Sequence, residues 1–467
     1  MKISTSSVNN LLKFKQMLNL DSNFDIILKE FKILDRNAFL LTVDGFTKGE
    51  SLQKILEAFN NLNGAYTLTN VKTFVLNSLP YYEVTTLSDE KEIMQELLSG
   101  VTIIFVDGFT EALAVDVRQY PQRITSEPKN DKVFRGAHDG FVETLIFNCA
   151  LIRRRIRDPR LCFLNVKVGC NTKTEVAICY LKGKADEALV CKVQNALVSA
   201  KVKAIEMNQE DIAKVISPSK WYNPFPKFKF SERPDTACAE VLEGQIIVLI
   251  DNSPACIVLP TTLLDILEEA NDYYFPPITS TYLKLTRLIV IILTIFGTPL
   301  FLLLINNPEY LPSALSFMQI KGPIHVPILL QFILLEVATD GLRLASLNTP
   351  NMLSGTLSIL GAVVVGEFAT KSGWLNEEPL LYMCIVTLAS YSQPSFELGY
   401  GFKFMRVILL IATGVFGVYG FALSSILVFI LICSNTNIDG RSFLYPLLPL
   451  DYAKLSKKFF KFDSKGN

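Results

Sequence analysis

Apolar and polar positions divide the chain near residue 275. Before that point, short apolar runs alternate with charged, amphipathic stretches. Beyond it, from Leu283 to Cys433, apolar runs of near bilayer-crossing length dominate. In the first part, Ala38–Val43 and Thr102–Val106 are β-branched or aromatic runs, each followed by Asp-Gly, a turn signal. Their turns nearly coincide: Val43-Asp44-Gly45-Phe46-Thr47 and Val106-Asp107-Gly108-Phe109-Thr110. A looser copy is Ile246–Ile250 with Asp251-Asn252, and Gly100 precedes Asp107 by the interval that separates Gly244 from Asp251. The pattern predicts repeated β-hairpins in two related subdomains; chance likeness of short strand–turn–strand units is the alternative.

Between the hairpins, Val142, Leu145, Ile146, Cys149, Ile152 and Ile156 predict a helix over Gly140–Arg157, stopped by Pro159. Val176–Leu181 reads as a strand, Ala185–Lys201 as a helix and Ile216–Pro234 as an irregular connector. Thr261–Ala270 reads as a short helix leading to an aromatic and proline hinge at Tyr273–Pro277.

The apolar part offers spans at Leu283–Ile305, Val326–Ala345, Leu353–Ala369, Leu380–Ser392 and Val407–Cys433. By the positive-inside rule, Lys284 with Arg287, Lys403 with Arg406, and the lysine-rich tail all belong on the cytoplasmic side. An odd number of crossings cannot satisfy all three. One segment must be re-entrant, interfacial or split in two, and Leu380–Ser392 and the long final run are the suspects.

Composition adds little to this picture. Formal net charge is zero, so nothing points to nucleic acid as a partner. The nine cysteines form no CxxC pair, which argues against zinc or a disulfide framework and for a reduced compartment. The start lacks a basic stretch followed by an apolar one, so no signal peptide is expected and the N-terminal part stays in the cytoplasm. With two histidines and no GxSxG, HExxH or Walker A pattern, no enzyme, metal site or cofactor is expected.

Three groups of residues are candidates for function. Glu336, Asp340 and Arg343 lie on one helical face inside an apolar run, where charge is costly. They suit either a hydrophilic pore or proton path, or an ion-pair clamp between helices or subunits. In Leu353–Ala369, Ser354, Ser358, Gly361 and Val365 share one face, while Gly355, Ala362 and Gly366 share another. Small residues allow close helix packing, and a serine–valine face also suits a narrow constriction with Glu367 at its mouth. Finally, Arg153, Arg154, Arg155 and Arg157, with Arg135 and Arg160 nearby, are either a structural or subunit contact or an anion site.

The stretch Val133-Phe134-Arg135-Gly136-Ala137-His138-Asp139-Gly140-Phe141-Val142-Glu143, continuing to Asn148 and Ala150 through Asp158, resembles the signature of the GerA spore-germination family, A-subunit branch. Val168-Gly169 with Lys173-Thr174, Ala185-Asp186, Glu232-Arg233-Pro234-Asp235, Leu242-Glu243-Gly244 and Asp272-Tyr273-Tyr274 match it in order. So do Glu336, Leu342-Arg343, Pro350, Ser358 through Ala362 with Gly366, and Arg441-Ser442-Phe443 with Tyr445-Pro446. Asp116 through Arg123, then Glu127-Pro128, is similar to the sporulation-specific AF branch. Two departures stand out: Ala137 follows Arg135-Gly136, and Leu344-Ala345-Ser346-Leu347 replaces a longer acidic, alanine-rich motif.

The resemblance implies an integral protein of the spore inner membrane with its large soluble domain on the spore-core side. It implies a homo-oligomeric ion channel that releases monovalent cations and, in the AF branch, amplifies germination with other membrane proteins. A nutrient-receptor A subunit and a non-conducting scaffold are the alternatives. The expected fold is an α+β cytoplasmic domain of two related α/β subdomains, followed by an α-helical polytopic membrane domain. Expected boundaries are 1–95, 96–275, 276–433 and a cytoplasmic tail over 434–467.

Overall fold

A computed structural model describes residues 2–61, 83–120, 131, 133–218, 220–348 and 361–459. The chain forms two compact units. One comprises Met1–Pro218 with Phe228–Pro260, and the other Ser219–Lys227 with Thr261–Asn467.

The first unit holds two five-stranded antiparallel sheets built on one plan. Strands β1 (Ile26–Ile33), β2 (Arg36–Val43), β3 (Val84–Leu87), β4 (Thr102–Val106) and β5 (Ala112–Val115) take the order β1-β2-β4-β5-β3. Strands β6 (Leu161–Val168), β7 (Thr174–Leu181), β8 (Lys229–Ser231), β9 (Ile246–Ile250) and β10 (Cys256–Leu259) take the order β6-β7-β9-β10-β8. Shifting every strand number by five converts one order into the other, so two related subdomains are present. The near-identical turns at Asp44-Gly45 and Asp107-Gly108 both fall in the first sheet, and the interval that links the two subdomains is Gly100 to Asp107 and Gly244 to Asp251. Each sheet is preceded by a helix, Ser7–Met17 in the first and Leu145–Arg155 in the second.

Helices cover both faces of the first sheet, which explains its unbroken apolar strands. Phe14, Ile93 and Leu97 pack with Phe39, Leu41, Ile103 and Phe105 on one side. Ile55 and Phe59 pack with Leu40, Ile104, Leu113 and Val115 on the other. In the second sheet, Cys149, Ile152, Ala237 and Val241 of two helices cover Phe163, Cys179, Ile247 and Val258. Gly100 and Gly244 occupy equivalent turns before β4 and β9, both at φ +100°, where an added Cβ would be strained.

Several elements differ from expectation. Ala38–Val43 is the second strand of a hairpin, and its Asp44-Gly45 turn leads to a helix, Gly49–Asn60. An Asp-Gly turn stops a strand without dictating the type of the next element. The first sheet closes only at Val115, beyond residue 95, because its last hairpin belongs to the same repeat. The helix expected from Gly140 starts at Leu145, because Asn148 spends its amide on the preceding turn. Its Nδ2 donates to the Val142 carbonyl at 2.5 Å and its Oδ1 accepts from the Val142 amide at 2.8 Å. The connector includes β8.

The second unit is helical. Its segments are Pro277–Asn306, Ile328–Asn348, a π-helical turn Ala362–Phe368 running into Ala369–Lys371, Glu377–Tyr391 and Phe396–Ser434. Among the described residues, the helix Pro277–Asn306 and the apolar run Phe396–Ser434 are long and apolar enough to cross a membrane. The last helix is broken at Gly417, whose φ of 59° and ψ of −136° are non-helical. A straight helix would hold Phe402 and Asn435 about 50 Å apart. Instead Phe402 lies 5.6 Å from the ring of Phe225, and Asn435 donates to the carbonyl of adjacent Pro226 at 3.4 Å. The chain therefore turns back at Gly417, and the long final run is two antiparallel limbs.

With that turn the number of successive helical segments is even. Among the described residues, contacts show six helical segments alternating in direction. Phe301 and Phe332 pack together, Glu336 meets Arg406, Gly373 adjoins His325, and Arg343 meets Tyr391. The tail helix Tyr452–Phe459 returns to the start of the first apolar helix. Lys458 pairs with Asp265, and Lys284 donates to the Lys458 carbonyl at 2.7 Å.

Candidate functional site

The charges of the helical unit gather where Ile328–Asn348 meets the first limb of the last helix. Arg406 is 2% exposed and holds Glu336 in a fork, Nε to Oε1 at 2.6 Å and Nη2 to Oε2 at 2.9 Å. Its Nη1 donates to the Thr294 carbonyl of the first apolar helix at 3.2 Å. Lys403 bridges Glu336 at 3.1 Å and Asp340 at 2.5 Å. Two carboxylates thus face two cations with no net charge, and three helices are tied at one level. A fork of this kind satisfies both oxygens, which an apolar environment demands.

Arg343 goes elsewhere. Its guanidinium carbon sits 3.9 Å from the ring centre of Phe396 and 4.9 Å from those of Tyr391 and Tyr400. Glu336 and Asp340 are thus ion-paired with Lys403 and Arg406 within one chain. Sequence reasoning misses their partners. Lys403 and Arg406 read there as flanking charges, and nothing local ties Arg406 to a residue 70 positions away.

On the small-residue segment, Ser354 and Ser358 lie outside the described residues. Gly361 is buried where an added Cβ would run into Leu342 of the charged helix, so it packs instead of lining an opening. Gly366, expected on the packing face, has open space around it. The π winding of Ala362–Phe368, which closes its bonds one residue later than an α-helix, shifts side chains off the 3.6-residue register behind the expectation. Val365 lies in this turn. Glu367 is exposed and pairs with Lys371 at 2.5 Å, one turn along.

The arginine run lies in the first unit and splits by residue. Arg153 is fully buried. It forks Asp25 at 2.8 and 3.0 Å, donates to the Leu161 carbonyl at 3.1 Å, and stacks on Phe163. Because Asp25 enters β1 and Arg153 precedes β6, the pair binds the two subdomains together. Arg154 lies 4.6 Å over the ring of Tyr120, and Arg155 pairs with Asp139 at 2.6 Å. Arg135 and Arg157 are exposed, and Asp158 pairs with Arg160 at 2.7 Å. Gly136 takes φ 115°.

The signature loop is held by the Glu232-Arg233-Pro234-Asp235 motif. Arg233 is fully buried and donates to the carbonyls of Asp131 and Ala137 at 3.2 and 2.6 Å, while pairing with Asp235. The Phe141 amide donates to the Glu232 carbonyl at 2.9 Å. Burial pushes the Asp131 carboxyl above its ordinary range despite nearby Arg233. The two motifs are therefore one structural unit.

Comparison with known proteins points the same way. The family described as Bacillus/Clostridium GerA spore germination protein matches residues 13–466. Stage V sporulation protein AF of Bacillus subtilis (strain 168) is 32% identical over 441 residues, 94% of this chain and 89% of that protein. Spore germination protein KA of the same organism is 26% identical over 469 residues, 98% of this chain and 85% of the relative. The crystal structure of the N-terminal domain of the A subunit of the Bacillus megaterium spore germinant receptor GerK3 is similar at 22% identity. Its TM-score is 0.42, and the match covers 56% of this chain and 96% of that one. The chain, matched from residue 13 to residue 466, belongs to the GerA family of spore germination proteins.

Proposed function

We propose that several copies of this protein assemble in the spore inner membrane into a channel for monovalent cations. The first unit faces the spore core, and the channel amplifies germination together with other germination membrane proteins. The observation that supports the proposal is the π turn Ala362–Phe368 in the apolar helical unit, with its exposed carboxylate Glu367. Glu336, Asp340, Lys403 and Arg406 neutralise one another inside one chain and are left out of the ion path. The segment left for lining is the one around Ala362–Phe368. π turns recur at functional sites. A path along it needs neighbouring copies to close it.

Purified protein reconstituted in liposomes, alone and with other germination membrane proteins, should release trapped potassium. Release only together with partner subunits and one nutrient would favour a receptor A subunit. Impermeable liposomes in every combination would favour a scaffold.

A further inference from the structure

Nine residues from the connector, Ser219–Lys227, belong with the helical unit. Phe225 anchors them. It is buried against Phe402 at 5.6 Å and Phe443 at 6.2 Å, in the cluster that contains Leu398, Ile291 and Ile295. Asn435, just past the end of the last helix, donates to the Pro226 carbonyl. Beside this anchor the chain displays what a core would hide. Trp221 is 96% exposed and Tyr222 47% exposed, their rings meeting edge to face at 6.0 Å. Lys220 lies 5.9 Å over the Tyr222 ring, and Lys220 and Lys227 flank a shallow recess with Ser434 and Thr436.

The level of this loop is set by Phe402, in the second turn of the last helix, and by Asn435, just past that helix's end. At the opposite end of Ile328–Asn348 stands Trp374, 61% exposed, beside Gly373, which adjoins His325. Those 21 residues span about 31 Å, close to the thickness of a hydrocarbon core. The chain's two tryptophans thus lie toward opposite ends of the apolar bundle. Tryptophan and tyrosine favour the layer where acyl chains meet headgroups, and lysine suits anionic headgroups there.

We propose that Lys220–Lys227 is a membrane-interface anchor. Trp221 and Tyr222 insert at headgroup level, and Lys220 and Lys227 engage the phosphates of anionic lipids. This surface has no role in conduction and stands whether or not the protein is a channel.

The test uses full-length Trp374→Phe protein, in which Trp221 is the remaining tryptophan; Trp374→Tyr serves if that variant does not fold. It is reconstituted in vesicles of phosphatidylcholine or phosphatidylglycerol brominated near the top of the acyl chains. The expected result is blue-shifted emission, a marked loss of emission on bromination, and a larger loss in phosphatidylglycerol. Lys220→Gln with Lys227→Gln should remove that difference between lipids. Emission quenched by aqueous iodide and untouched by bromine would overturn the proposal. So would emission shielded from both, the mark of a protein partner, or bromine quenching equal in the two lipids.

Discussion

Glu336 and Arg406 stand 70 residues apart in sequence yet meet in a two-point fork, both nearly sealed from solvent. Removing Arg406 leaves Glu336 and Asp340 to share Lys403, with one negative charge uncompensated, at about 3–5 kcal/mol. Arg406→Leu should therefore lower stability in detergent by that order. The double change Glu336→Leu with Arg406→Leu should recover much of it, because no uncompensated charge remains. Thermal unfolding of the three variants measures this, and a double variant as weak as the single would contradict the clamp.

The Asp25–Arg153 pair makes the parallel case for the soluble unit. Asp25→Asn leaves the fully buried Arg153 without its counter-charge, and a loss of about 3–5 kcal/mol is expected. Arg157→Gln, an exposed member of the same run, should change stability by no more than about 0.5 kcal/mol. Chemical denaturation of the full chain compares them.

The reversal at Gly417 predicts sidedness. In a cysteine-free background, a cysteine at Ser456 of the tail helix and one at Ser372 should react with an impermeant thiol reagent from opposite faces of sealed vesicles. Reaction from one face would contradict the alternating helices. Gly417→Val should also destabilise, by about 1–3 kcal/mol, since its backbone angles are ones glycine alone adopts readily.

The native cysteines report on the first unit. Burial pushes the Cys149 and Cys179 thiols up, and that of Cys238 to about 12. A raised thiol pKa leaves little thiolate at pH 8, so these three should resist alkylation until the protein unfolds. Cys170 and Cys191, both exposed, should react in the native state. Mass spectrometry after brief iodoacetamide treatment distinguishes the two groups.

Legibility in sequence follows locality. The doubled fold shows in one short-range signal repeated at a matching interval, Gly100 to Asp107 in the first subdomain and Gly244 to Asp251 in the second, whereas both Asp-Gly turns lie in the first. The soluble helices and strands are legible where the apolar period is clean, and lost where a side chain such as Asn148 overrides it. The break in the last helix leaves a trace in Gly414, Gly417 and Gly420, three glycines within about two turns of an apolar run. Glu336 and Asp340 stand out as charges in an apolar run, but their partners depend on tertiary folding. Conversely, the face assignment around Gly361 and Val365 assumes a 3.6-residue period that the π turn does not keep.

Potassium flux through liposomes carrying Glu367→Lys or Val365→Trp protein, beside the unaltered protein, tests the central claim most directly. A channel lined by the segment around Ala362–Phe368 predicts that the unaltered protein conducts. Lysine at 367 should then suppress cation flux, and tryptophan at 365 should block it, with protein levels unchanged. Equal flux in all three would remove this segment from the path, and no flux in any would contradict conduction itself.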